Sequence, residues 1–132
     1  MRQRTSILAL ALCLGACGGA SVDRDTTLAR LRNALSEEIA QGDTATLEDH
    51  NQLVEQVRDH GLLDGLRRSE VEQYLGRGQE CGTRPICSEH GFDGNAWIYE
   101  VGRRDGLPWG PTIVVGFGQQ GFVEDIYTLT RR

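Results

Sequence analysis

The sequence predicts an α+β fold in which a helical pair and a short third helix pack on a three-stranded antiparallel meander. Two observations carry this prediction. Apolar residues recur at spacings of three and four as far as about residue 75, and short β-rich runs follow from residue 96. Glycines mark the ends of the helical runs and the last strand connection, so the links are short and neighbouring elements pair.

The chain opens with an export pattern. Arg2 and Arg4 form a basic start, and Ile7 to Leu14 an apolar run far below the roughly 20 residues of a membrane-spanning helix. Leu14-Gly15-Ala16-Cys17 resembles the lipobox of bacterial lipoproteins. That resemblance implies removal of residues 1–16, lipidation of Cys17 and a membrane anchor. An ordinary secretory signal that happens to contain Cys is the alternative. Residues 17–25 are small and polar and suit a tether.

Residues 26–63 read as a helical hairpin. Leu28, Leu31, Leu35 and Ile39 fall on one face of the first helix, which Gly42 ends. Asp43 to Thr46 offers caps for a second helix with Leu47, Val54 and Val57 inward, stopping near His60-Gly61. A second unit, residues 64–132, begins with a helix whose Ser69-Glu70-Val71-Glu72 has the form of a capping box. Val71, Tyr74 and Leu75 are its apolar face, and Gly76 ends it. Strands are expected at 96–101, 112–117 and 122–129. Trp97 and Tyr99 should share one sheet face, with Ile98 on the other.

Composition narrows the function classes. Losing Arg2 and Arg4 with the first 16 residues takes the formal charge from -5 to -7, on a chain without lysine. Such a chain lacks the clustered positive charge that nucleic acid requires, and it has no lysine for a Schiff base. Cys81 and Cys87 enclose Gly82 to Ile86; in an oxidising compartment they read as a disulfide, stabilising by roughly 2 kcal/mol. The alternative is a metal held by Cys81, Cys87 and His90 with Glu89 or Asp93, though zinc more often takes tighter paired spacings. Gly116-x-Gly118-x-x-Gly121 matches a dinucleotide fingerprint on paper, but a strand follows it where the fingerprint needs a helix. It reads as a hairpin turn.

No catalytic residue is expected. His50 falls on the apolar side of its helix and His60 at a helix end, while Ser88 and His90 are only sequence neighbours. No metal or other cofactor is expected. Leu107-Pro108-Trp109-Gly110-Pro111 reads as a loop carrying an aromatic side chain. Trp109, rimmed by Arg103 and Arg104, suits partner recognition, or else folds back as a lid on the sheet.

Gly65-Leu66, Val71 and Leu75-Gly76 resemble the opening helix of SmpA/OmlA domains, the BamE-like family of small outer-membrane lipoproteins. Trp97-Ile98-Tyr99 is similar to that family's aromatic first strand. Ile113 to Phe117 followed by Gly121-Phe122-Val123 resembles its next two strands. Arg67 stands where the family has Thr, and the Cys81–Cys87 loop and the helical pair are additions. The resemblance implies a non-enzymatic protein lipid-anchored to the periplasmic face of the outer membrane, with an envelope protein as partner. The same helix-plus-sheet unit resembles the repeats of β-lactamase inhibitory proteins, which implies the alternative of a periplasmic module gripping an enzyme through its sheet.

Overall fold

The structure, a computed structural model, describes residues 22–132; the expected signal peptide, Cys17 and the first part of the tether lie outside them. Asp23 caps helix α1 (Arg24–Leu35), accepting from the Thr26 amide at 2.9 Å. Asp43 does the same for α2 (Thr44–Asp59) through the Thr46 amide at 3.0 Å. Then come α3 (Arg68–Leu75), β1 (Gln79–Glu80), the single-turn α4 (Pro85–Ser88) and β2 (Trp97–Glu100). The chain finishes with β3 (Arg103–Arg104), β4 (Leu107–Pro108), β5 (Thr112–Phe117) and β6 (Val123–Leu129).

The main sheet has four strands in the order β1-β2-β5-β6, every neighbour antiparallel. The expected meander of three is therefore one strand short. The added β1 is two exposed polar residues, too short to show any apolar alternation. A separate hairpin, β3–β4, turns through Asp105 and Gly106 at φ 54 and 76, the left-handed pair of a tight hairpin turn.

Three helix details also differ from expectation. α1 ends at Leu35, not near Gly42, because Ile39 leaves the helix to join the hairpin. Its amide donates to the Arg103 carbonyl at 2.7 Å and its side chain is fully buried. Leu47 is only half-buried, whereas Val54 and Val57 are in the core. The cap of α3 is Arg67, not Ser69. The Glu70 carboxylate accepts from the Arg67 amide at 3.0 Å, half of a capping box, since an Arg side chain has no acceptor to return.

The inner sheet face carries Trp97, Tyr99, Val101, Ile113, Val115 and Val123. It packs against α1, α2 and α3 through Leu28, Leu31, Val54, Val57, Val71 and Leu75. One core therefore joins the helical pair to the sheet. Arg68 lies over the Trp97 ring at 5.0 Å, and Phe117 meets its edge at 5.1 Å. The outer face is smaller: Ile98, Val114 and Ala96 lie under Cys81, Cys87, Ile86 and Phe92.

Candidate interaction surface

The β3–β4 hairpin leaves the sheet at a corner that α2 completes. Val101 donates its amide to the Pro111 carbonyl at 2.8 Å, the first half of a narrow antiparallel pair. Pro111 has no N–H to return. The return bond comes from α2: His50 Nδ1 stands 3.0 Å from the Val101 carbonyl and carries the proton, because a carbonyl only accepts. The next residue, Asn51, holds Arg131 by both backbone groups, at 2.9 Å to the amide and 2.7 Å to the carbonyl. Two consecutive side chains of one helix thus close the ends of two strand ladders. His50 Nε2 lies 3.4 Å from Glu37 Oε2, within ion-pair reach, but the alignment makes no hydrogen bond. The Val101 contact is what orients the ring.

Behind the hairpin, Trp109 is half-buried between two guanidinium groups, Arg104 at 3.5 Å and Arg131 at 4.5 Å from the ring centroid. Arg104 also donates to the Ile39 and Ala40 carbonyls at 3.1 and 3.3 Å. The stack ties the 36–43 connection, the hairpin and the end of β6 together. Of the three residues the sequence singles out, Trp109 and Arg104 are therefore engaged with each other, and Trp109 also with Arg131. Arg103 is exposed, and its guanidinium donates to the Gly106 carbonyl within the hairpin. What the hairpin offers outward is Leu107, 68% exposed, followed by exposed Pro108. Sequence reasoning passes over Leu107, although Asp105-Gly106 is a turn signal that places it on a hairpin arm.

The Cys81 and Cys87 sulfurs stand 2.08 Å apart, at disulfide distance, so neither thiolate is free for a metal. His90 Nδ1 lies 2.8 Å from the Ile86 carbonyl, and its ring stacks on Tyr127 at 3.8 Å. Among the described residues no cluster of three or more His, Cys, Asp or Glu could hold a metal. The Ser88 hydroxyl lies against the Arg84 and Pro85 carbonyls at 3.5 Å, and His60 is the exposed cap of α2. Gly116 lies within β5, and Gly118 and Gly121 lie in the turn to β6, closed by Gly118 donating to the Phe122 carbonyl at 2.8 Å. Burial pushes the Tyr99 hydroxyl far above its ordinary pKa, and it donates to the Gly76 carbonyl at 2.7 Å.

A cleft of about 1060 Å³ opens beside the β5–β6 turn, lined among others by Arg68, Asp93, Phe117 and Glu124. Arg68 sits over the Phe117 ring at 4.2 Å. The cleft has no nucleophile–base pair among its lining residues. No protein-family model, curated protein or solved structure matches this chain.

Proposed function

We propose that the chain is a non-enzymatic lipoprotein that binds or braces a partner protein at the outer membrane, held there through acyl chains on Cys17. One observation carries the binding role: a short hairpin, pinned from behind by the Arg104–Trp109–Arg131 stack, holds Leu107 out in solvent. Leu107 and Pro108 on this braced support offer a partner a small apolar contact, and Arg103 beside them supplies a polar rim. The lipobox resemblance supplies the address, since two or three acyl chains anchor stably where one does not. The order of α3, β2, β5 and β6 agrees with the SmpA/OmlA resemblance, and outer-membrane assembly is the role that resemblance suggests.

The alternative, an inhibitor gripping an enzyme through an open sheet, has less in its favour. Helices occupy the inner face and the Cys81–Cys87 loop covers much of the outer one. A photo-cross-linker at position 107 in intact cells, read by mass spectrometry, should capture one envelope protein. The same label at Gln119 on the far turn should not. Equal capture from both positions counts against the hairpin as the docking point. Cys17→Ala should abolish palmitate labelling, and label that persists would rule out Cys17 as the site of the anchor.

A further inference from the structure

β6 is the last strand of the main sheet, with no strand on its outer side. The direction of its backbone groups follows from β2. Because Val101 donates to the Pro111 carbonyl, residue 111 faces β2, and by alternation Thr112, Val114 and Gly116 face β6. Their register partners Leu129, Tyr127 and Asp125 therefore spend their backbone groups on β5. Ile126, Thr128 and Thr130 turn theirs the other way. Among the described residues none of these three has a backbone partner on that side. The edge is closed before them, where Val123 donates to the Leu66 carbonyl at 2.8 Å and Arg68 to the Gly121 carbonyl at 2.9 Å. From Glu124 onward it is open.

We infer that this edge binds the β6 of a second copy, antiparallel, about a two-fold axis at Thr128. Three independent features select this partner and this register. Centring on Thr128 is the arrangement that uses all three outward residues. Ile126 faces Thr130 of the second copy, Thr128 faces its equivalent, and each pair exchanges two backbone bonds. The sequence around that centre is charge-complementary to its own reverse: Glu124-Asp125 precedes it and Arg131-Arg132 follows it at equal distance. Antiparallel pairing sets Asp125 opposite Arg131 and Glu124 opposite Arg132, in both directions.

The third feature is apolar. Leu129, 49% exposed, comes opposite Tyr127 on the outer face. Neither Glu124 nor Asp125 has an ion-pair partner among the described residues. Arg132 reaches Glu48 and Glu55 only at 3.9 and 3.6 Å, through exposed side chains. Arg131 uses its own backbone groups on Asn51, on the side away from the new strand, so that contact survives pairing, while its guanidinium, over the Trp109 ring at 4.5 Å, exchanges that stack for Asp125 of the second copy. The dimer carries one continuous sheet of eight strands, twice the four of each copy, and this inference stands independently of the lipoprotein reading.

Sedimentation equilibrium of the full chain in non-ionic detergent, over a wide concentration range, should show a monomer–dimer equilibrium weakened by salt. Thr128→Pro removes an outward N–H and none of the bonds to β5, so it should weaken the dimer on the order of tenfold or more with the fold retained. Because Pro can also disturb the strand, charge inversion gives a second route. Glu124→Arg with Asp125→Arg should also produce monomer, and adding Arg131→Glu with Arg132→Asp should restore the dimer. A wild-type chain that stays monomeric overturns the inference. So does a dimer indifferent to Thr128→Pro, or one that the fourfold charge exchange fails to restore.

Discussion

The two faces of the main sheet are held by different means. The inner face is covered by three helices whose Leu and Val side chains meet Trp97, Tyr99 and Val115 in one continuous core. The outer face has no such cover. A short loop lies across Ile98 and Val114, and that loop is closed on itself by Cys81 and Cys87. Apolar area removed from water holds the first face, at roughly 25 cal/mol per Å². On the second face the area is small, and restricting the unfolded loop supplements it.

The largest expected effect tests the inner face. Trp97 is 2% exposed and central to the core, so Trp97→Ala should cost about 3–5 kcal/mol in chemical denaturation. Phe92→Ala, its half-buried counterpart outside, should cost clearly less. Equal losses would erase the distinction between the faces. Reduction, or replacing both Cys81 and Cys87 by Ala, should cost about 2 kcal/mol. Its mark should be local, with faster amide exchange at Gly82, Cys87 and Phe92 while the α1–α3 amides keep their protection. Global unfolding on reduction would mean that the outer clip supports the inner core as well.

These contrasts explain how far the sequence could be read. Both long helices show their period directly, since each has one buried side, whereas the strands around Trp97 and Val114 are buried on both faces and show as short β-rich runs. The end of α1 does not. Ile39 keeps the helical spacing but is buried by a tertiary contact with β3 that no local pattern encodes. β1 is invisible because both its residues are exposed and polar, and its pairing with β2 is decided at long range. The hairpin at Asp105-Gly106 is a different case, with a clear turn signal between flanking residues that are poor strand formers. Trp109 and Arg104 were legible as a cluster. Their partner Arg131 was not.

The corner at Pro111 sharpens the comparison, because there a helix gives the sheet a hydrogen bond as well as apolar cover. His50 is 3% exposed, and His50→Phe keeps a ring in place but strips the Val101 carbonyl of its donor. That should cost about 1–3 kcal/mol. If His50 stands in for the N–H that Pro111 lacks, Pro111→Ala supplies the missing donor and the His50→Phe penalty should shrink. A double-mutant cycle should then show a coupling of about 1 kcal/mol. Additive losses would mean that His50 acts through packing alone.

The smallest effect concerns the helix that delivers both surrogate side chains. The Asp43 carboxyl is held below its ordinary value of 3.8, first by the Thr46 hydroxyl and then by the Thr46 amide. A lowered folded pKa means that the unfolded chain binds the proton more readily, so this cap contributes above about pH 4 and fades as pH falls through the lower folded value. Asp23 caps α1 by the same two contacts with Thr26 and drains in the same window. Asn accepts the amide bond without titrating. Asp43→Asn should therefore leave stability near pH 7 slightly reduced and make the acid limb of a stability–pH curve shallower. Asp23→Asn should add to that flattening, because the two caps lie on separate helices and share no partner. An acid limb unchanged in the double variant would assign the acid sensitivity to other carboxylates and leave the caps as geometric stops alone.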